Sequence, residues 1–184
     1  MTKESFDALF HKHVLERLGP LGFRFVGKTI ALRDSDITLS LIRLGGRLSL
    51  PGCVSYVLCF RHSFLRELQG EEVPSRISTE VFDYPFKFRP SELSGSARAD
   101  WRYIPRNLNY PHDSYPWSEH GEDEVRSWLS SLLQLIEGEF LPWAKALSPH
   151  AAAGQLKKYG NDAWCERLWL EDYQHAETGR PTTR

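Results

Sequence analysis

The sequence predicts a single domain of the α+β class, with an antiparallel sheet of about four to six strands packed against helices. Three observations predict it. An amphipathic helical segment comes first, alternating apolar segments joined by short turns follow, and a long amphipathic segment fills much of the C-terminal half. Short turns favour antiparallel neighbours, because parallel strands need long crossovers. We expect the domain to span residues 1–176, and residues 177–184 to form a frayed polar tail.

The first helix is predicted to begin at about Thr2 or Ser5 and to end at Leu18. Its apolar residues recur at the spacing of one helical stripe. They are Phe6, Leu9, Phe10, Val14, Leu15 and Leu18. Gly19-Pro20 ends this N-terminal helix, since glycine and proline together stop helical hydrogen bonding.

Strands are predicted where apolar residues alternate, at residues 23–32, 37–44 and 54–60. Turn residues separate these segments, including Gly45-Gly46. A fourth strand is expected within residues 77–88. Because proline cannot donate to a strand ladder, Pro85 places this strand at an edge of the sheet.

A long helix is predicted to begin after Gly121, and its apolar residues form one wide face. They are Val125, Trp128, Leu129, Leu132, Leu133, Ile136, Phe140, Trp143 and Leu147. Pro142 is expected to kink the helix by displacing the carbonyl of Gly138. A terminal helix pair follows. The first helix of the pair begins at Ser148-Pro149 and ends near Tyr159, and the second ends at about Tyr173.

Residues 22–29 match the phosphate-binding pattern G-x-x-x-x-G-K-[ST]. The matching positions are Gly22, Gly27, Lys28 and Thr29. A phosphate loop needs a strand before it and a helix that opens at the lysine, whereas here a helix precedes the segment and strand-like residues follow. We therefore interpret it as a lookalike: an extended strand with Gly27 at a bend or bulge, Phe23 and Phe25 on the core face, and Lys28 exposed. No cofactor is expected.

Composition narrows the possible partners and compartment. The formal net charge is −1, and the two halves are balanced, which disfavours a nucleic-acid partner without excluding a local basic patch. No uncharged apolar stretch approaches the roughly 20 residues that cross a bilayer. The odd number of cysteines, without a C-x-x-C pair, fits a reducing compartment. We therefore expect a cytoplasmic protein with no membrane partner.

Residues 89–120 mix aromatic residues, prolines and arginines without a sustained helical or strand period. The candidate binding residues are Arg98, Trp101, Arg102, Tyr103, Arg106, Tyr110, Tyr115 and Trp117. Cations beside aromatic rings suit the stacked bases of a single-stranded nucleic acid. Protein interfaces favour the same residue types. These rings could equally pack on the protein's own sheet, and the sequence leaves the three interpretations open.

Titratable residues also cluster in and after this segment. They are His112, Asp113, Glu119, His120, Glu122 and Asp123. None of them reproduces a metal-ligand spacing such as H-E-x-x-H, and the chain has no E-x-K triplet and no G-x-S-x-G elbow. We favour a solvated loop that leads into an acidic helix N-terminus. No catalytic residue and no metal ligand are assigned.

The order of elements in roughly the first 60 residues resembles an uncharacterised bacterial family, domain of unknown function forty-three-zero-four. An amphipathic helix, the step Gly22-Phe23, the turn Gly27-Lys28-Thr29 and an apolar strand pair carry the resemblance. The segment 159–162 (Tyr-Gly-Asn-Asp) extends it loosely to the C-terminal helices. The resemblance implies a compact α+β domain and transfers no catalytic residue.

Together these observations predict a non-catalytic domain that binds another protein, through an exposed sheet face or the aromatic segment. Small bacterial domains of this kind often act as immunity or accessory proteins, and this is an analogy at the level of the fold. The alternative is a metal-dependent or nucleic-acid-processing enzyme that uses residues 98–123.

Overall fold

The computed structural model describes residues 1–45, 50–68, 72–88, 90, 114–159 and 164–179. In these residues five strands form one antiparallel sheet whose spatial order follows the sequence. The strands are β1 (Arg24–Val26), β2 (Thr29–Arg33), β3 (Ile37–Arg43), β4 (Tyr56–His62) and β5 (Phe86–Phe88). Helices at both ends of the chain accompany the sheet, and the predicted α+β class is confirmed.

Two predicted strands differ from the observed ones. Residues 23–32 form a hairpin, because Gly27 adopts a φ of 61° and Val26 pairs with Thr29 across a two-residue turn. The interpretation of Gly27 as a bend within one strand is therefore wrong. Residues 77–88 contribute only the short β5, which begins directly after Pro85. Proline has no N–H to donate to β4, so pairing starts beyond it.

The first helix consists of α1 (Lys3–Phe10), a π-helical turn (His11–Leu15) and α2 (Glu16–Leu18). The hydroxyl of Thr2 accepts a hydrogen bond from the Ser5 amide and caps its N-terminus. Its predicted apolar stripe faces the protein interior. The buried members of the stripe are Phe6, Phe10, Val14 and Leu18.

The long helix consists of α3 (Glu122–Leu135), a π-helical turn (Ile136–Phe140) and α4 (Leu141–Ala146). The π-helical turn ends two residues before Pro142, which has no N–H to bond to the carbonyl of Gly138 within that turn. Two helices follow, α5 (Pro149–Tyr159) and α6 (Trp164–Thr178). The last helix includes Glu177 and Thr178, which the sequence placed in the polar tail. Gly179 follows the helix, and its φ of 65° is the left-handed conformation common directly after a helix C-terminus.

Both faces of the sheet are covered. Helices pack on one face, which we call the helix face, and they form with it a continuous apolar core that runs from Phe6 to Tyr173. The opposite face holds a smaller cluster, in which Val81 and Tyr84 pack on strand residues such as Cys59. The Tyr84 hydroxyl lies 2.6 Å from the hydroxyl of Ser40, so this cover is fixed by a buried hydrogen bond as well as by apolar contact.

The last two residues of β4 are buried polar side chains on opposite faces of the sheet. Arg61 donates to the carbonyl of Asp83 over 3.0 Å and to the carbonyl of Leu65. Burial lowers the pKa of Arg61, because a charged guanidinium is unfavourable away from water. The two carbonyls offset part of this desolvation energy by accepting hydrogen bonds from its N–H groups. The Arg61 side chain therefore joins the segment before β5 to the sheet by a hydrogen bond.

His62 joins the C-terminal segments to the helix face of the sheet by two hydrogen bonds. Its Nε2 lies 3.1 Å from the carbonyl oxygen of Leu147, and its Nδ1 lies 2.9 Å from the hydroxyl of Tyr173. A carbonyl can only accept, so Nε2 carries the proton and Nδ1 accepts from the tyrosine. Nearby, Arg66 donates from Nε to Asp172 over 2.6 Å and joins the loop after β4 to the same helix.

We expect the His62 junction to make the protein less stable in acid. Burial lowers the pKa of His62 from 6.5 to about 4. Between these values the unfolded chain binds a proton that the folded protein does not, so the free energy of unfolding falls as the pH falls, by at most about 3 kcal/mol. Urea unfolding at pH 7 and at pH 4.5 measures this loss.

His62→Gln should be less stable at neutral pH and should lose most of the pH dependence. The control is His150→Gln, because His150 is exposed on α5. A pH dependence of equal size in His62→Gln and in the control would show that His62 does not cause it.

Candidate functional site

A groove of about 570 Å³ lies between the first helix and the β1–β2 hairpin. The first helix supplies Lys3, Asp7, Phe10 and His11, the hairpin supplies Phe25, Gly27 and Lys28, and the ends of β3 and β4 supply Arg43 and Tyr56. Aromatic rings thus lie beside charged groups. We call this site the hairpin groove.

Phe25 is the exposed ring of the hairpin groove. It begins a row of residues that crosses the helix face of the sheet: Phe25, Ile30, Leu41, Leu58 and Phe88. The other four members are buried, whereas Phe25 is 49% exposed because its strand is at the sheet edge. Phe23 and Phe25 both lie on the core face, as expected, but Phe23 is buried in the core whereas Phe25 is not.

Arg43 lies within the groove, and only part of its hydrogen-bonding capacity is used inside the protein. Its Nη1 donates to the carboxylate of Asp7 over 3.1 Å, and its guanidinium lies 5.9 Å from the ring centre of Phe6. Its other N–H groups have no acceptor in the part of the chain that the structure describes. A guanidinium presents donors in a planar fork that matches a carboxylate, so Arg43 can bind an incoming anion.

Tyr56 supports the groove from the sheet side. Its ring stacks on Phe10 with the ring centres 5.2 Å apart and the planes inclined by 10°. Burial raises the pKa of Tyr56 far above neutrality, so its hydroxyl stays protonated. The pair of rings gives the groove a rigid apolar wall.

The charges around the groove are mainly positive. Lys3, Lys28 and Arg43 face a single carboxylate among the lining residues, that of Asp7. The hairpin continues this bias, since residues 19–33 contain arginine and lysine but neither aspartate nor glutamate. In a chain with a net charge of −1, this is a local excess of positive charge. The arrangement suits an anionic segment that also carries an apolar group.

The lookalike of the phosphate loop forms the hairpin side of this groove. Gly22, with a φ of 94°, ends the turn after the first helix. Gly27 and Lys28 form the hairpin turn, and Thr29 begins β2 where a phosphate loop would begin a helix. The amides of this segment therefore belong to a strand pair. Lys28 contributes to the groove as one cation of its rim.

The two described members of the predicted aromatic site pack on the protein itself. Trp117 is 7% exposed and stacks on Phe6 with the ring centres 5.3 Å apart. Tyr115 stacks on Trp128 with the ring centres 4.2 Å apart, and its backbone bonds to Val54. The other six predicted residues lie outside the described residues: Arg98, Trp101, Arg102, Tyr103, Arg106 and Tyr110.

Gly52 positions the turn that contains Trp117. It has a φ of 72°, and a Cβ atom there would lie 2.1 Å from the hydroxyl oxygen of Ser118. The Ser118 amide also donates to the Gly52 carbonyl over 3.0 Å. Only glycine allows this approach, which holds the tryptophan against the first helix.

The titratable cluster lies partly outside the described residues and partly on the surface. His112 and Asp113 lie outside the described residues. His120 stacks on Tyr115 and lies 3.4 Å from the carboxylate of Glu124, on the surface. Among the described residues, no group of three or more histidine, cysteine, aspartate or glutamate side chains could hold a metal ion.

Comparison of the chain with protein-family models finds no match. Comparisons with curated proteins and with solved structures find none either. The resemblance of the N-terminal third to a family of unknown function therefore stays a prediction. Within the described ranges, every helix is too short or too polar to cross a bilayer.

Sequence reasoning did not find the hairpin groove. Lys3, Arg43 and Tyr56 are distant along the chain, and only the folded sheet brings them together. Two features of the sequence are consistent with such a site. Phe25 follows Arg24 in an alternating segment, and residues 19–33 contain arginine and lysine but no carboxylate. Neither feature predicts that the ring of Phe25 remains exposed, because its exposure depends on which strand forms the edge of the sheet.

We expect Arg43 to contribute little to stability, as a residue available to a ligand should. Its ion pair with Asp7 is partly exposed, and such pairs contribute about 1 kcal/mol or less. Arg43→Met should therefore lower the free energy of unfolding by about 1 kcal/mol. Arg126→Met, which removes an exposed pair on α3, serves as the control. A loss of more than about 3 kcal/mol for Arg43→Met would make Arg43 a structural anchor.

Proposed function

We propose that this chain is a non-catalytic binding domain, and that it recognises another protein by holding an acidic segment in the hairpin groove. The observation that carries the proposal is the exposed ring of Phe25 beside Lys3, Lys28 and Arg43. A carboxylate can pair with these cations while a neighbouring apolar side chain covers the ring. Such a site binds without transforming its ligand, as an immunity or accessory protein would.

The exposure of the rings favours a peptide over a nucleic acid. Single-stranded nucleic acids stack successive bases on several exposed rings. In the hairpin groove Phe25 is exposed, whereas Phe10 and Tyr56 are buried and present little ring face to a base. One exposed ring suits one apolar side chain of a peptide, with acidic neighbours on either side of it.

Selection from a random peptide library displayed on phage tests this proposal. We expect the selected peptides to be rich in aspartate and glutamate and to contain an aromatic or aliphatic residue. The double variant Lys3→Glu/Lys28→Glu should bind them about tenfold to a hundredfold more weakly at low salt, because charge pairs of this kind contribute about 1 kcal/mol each. Lys3 begins a helix, where a glutamate is favourable, so the variant should fold.

The matched control is Lys145→Glu/Lys157→Glu, which reverses two exposed charges on α4 and α5. Its affinity for the selected peptides should equal that of the wild type. Equal affinity of the groove variant and this control would contradict the proposal. Displacement of the peptides by a single-stranded oligonucleotide at equal concentration would favour the nucleic-acid alternative instead.

A further inference from the structure

We infer that the partner's acidic segment binds as an additional strand, paired with the outer edge of β1. The inference rests on the proposed function and specifies how the partner is held. β1 is the first strand in the sheet order, and in the described part of the chain no strand pairs with its outer side. The edge and the hairpin groove meet at the same residue, Phe25.

The hairpin register determines which backbone groups face outward. Val26 and Thr29 flank the two-residue turn and exchange hydrogen bonds with each other. The next pair is Phe25 with Ile30, and in an antiparallel ladder adjacent pairs alternate between bonded and non-bonded. The N–H and C=O of Phe25 therefore point away from β2. They form one donor and acceptor pair that an added strand can use.

An added strand would also reach the groove with its side chains. Neighbouring strands lie about 4.8 Å apart, and successive side chains point to opposite faces. Phe25 points to the helix face, so a side chain of the added strand on that face would lie directly beside its ring. The groove would hold the side chains while the β1 edge would hold the backbone.

The charges of the hairpin select an acidic partner over a second copy of this chain. Residues 19–33 contain Arg24, Lys28 and Arg33 and no carboxylate. Pairing two copies through β1 would bring Arg24 and Lys28 of one copy close to the same cations of the other, and like charges across a strand pair are destabilising. An extended segment with a glutamate two residues from an apolar residue places both side chains on the helix face. Its carboxylate can then pair with the cations of the groove while the apolar group covers Phe25.

Proline scanning at the edge tests the strand pairing. The probe is a short synthetic peptide in which glutamates lie two residues before and two residues after a phenylalanine, with threonine at the positions between them. Phe25→Pro removes the outward N–H but none of the bonds to β2, so an edge strand tolerates it. The comparison is Phe25→Ala, which removes the same ring and keeps the N–H. We expect Phe25→Ala to bind the probe about tenfold more weakly and Phe25→Pro to bind it at least tenfold more weakly again.

A second probe carries N-methyl groups on alternate amides of the same peptide. Strand addition requires one of the two alternating sets of amides, so methylation of that set should abolish binding and methylation of the other set should not. Equal binding by Phe25→Pro and Phe25→Ala, with no effect of either methylation, would overturn strand addition. If Lys3→Glu/Lys28→Glu still weakened binding, the groove would remain the site. If it did not, the proposed function would fail as well.

Discussion

Pairing of β3 with β4 is the constraint on which the other parts of the structure depend. Seven residue pairs join these two strands in the centre of the sheet. The register directs Arg61 to one face and His62 to the other, both buried. Arg61 then binds the segment before β5, and His62 bonds to Leu147, at the C-terminus of α4, and to Tyr173 in α6. A slip by one residue would exchange the two side chains and detach both layers.

The same constraint explains why the open surface lies at the hairpin. The centre of the sheet is covered on both faces, so its strands offer no exposed backbone or ring. The helices and loops that bury the central strands do not bury β1, so Phe25 remains half exposed beside the first helix. The charges of Lys28 and Arg43 collect at this boundary, where solvent reaches them. The candidate site thus lies where it does because β1 is an edge strand that the rest of the protein does not bury.

The sequence predicted the elements whose periodicity is long and regular. The stripe of the first helix, the central strands and the long helix were all evident from the spacing of apolar residues. It did not predict the hairpin, because alternation continues through Gly27 and hides a two-residue turn. Nor did it predict that Trp117 packs on Phe6, since that contact depends on the close approach at Gly52. The groove joins distant residues, which no spacing along the chain encodes.

Amide hydrogen exchange measured by NMR shows directly whether β1 and β2 form a hairpin with an open outer edge. We expect slow exchange for the amides of Val26 and Thr29, each of which donates to the carbonyl of the other residue, and fast exchange for the outward amide of Phe25. Slow exchange of the Phe25 amide would mean that the edge is covered. Shifts of the Gly27 and Lys28 amide resonances on adding inorganic triphosphate would mean that the segment binds phosphate, and would contradict its assignment as a strand pair.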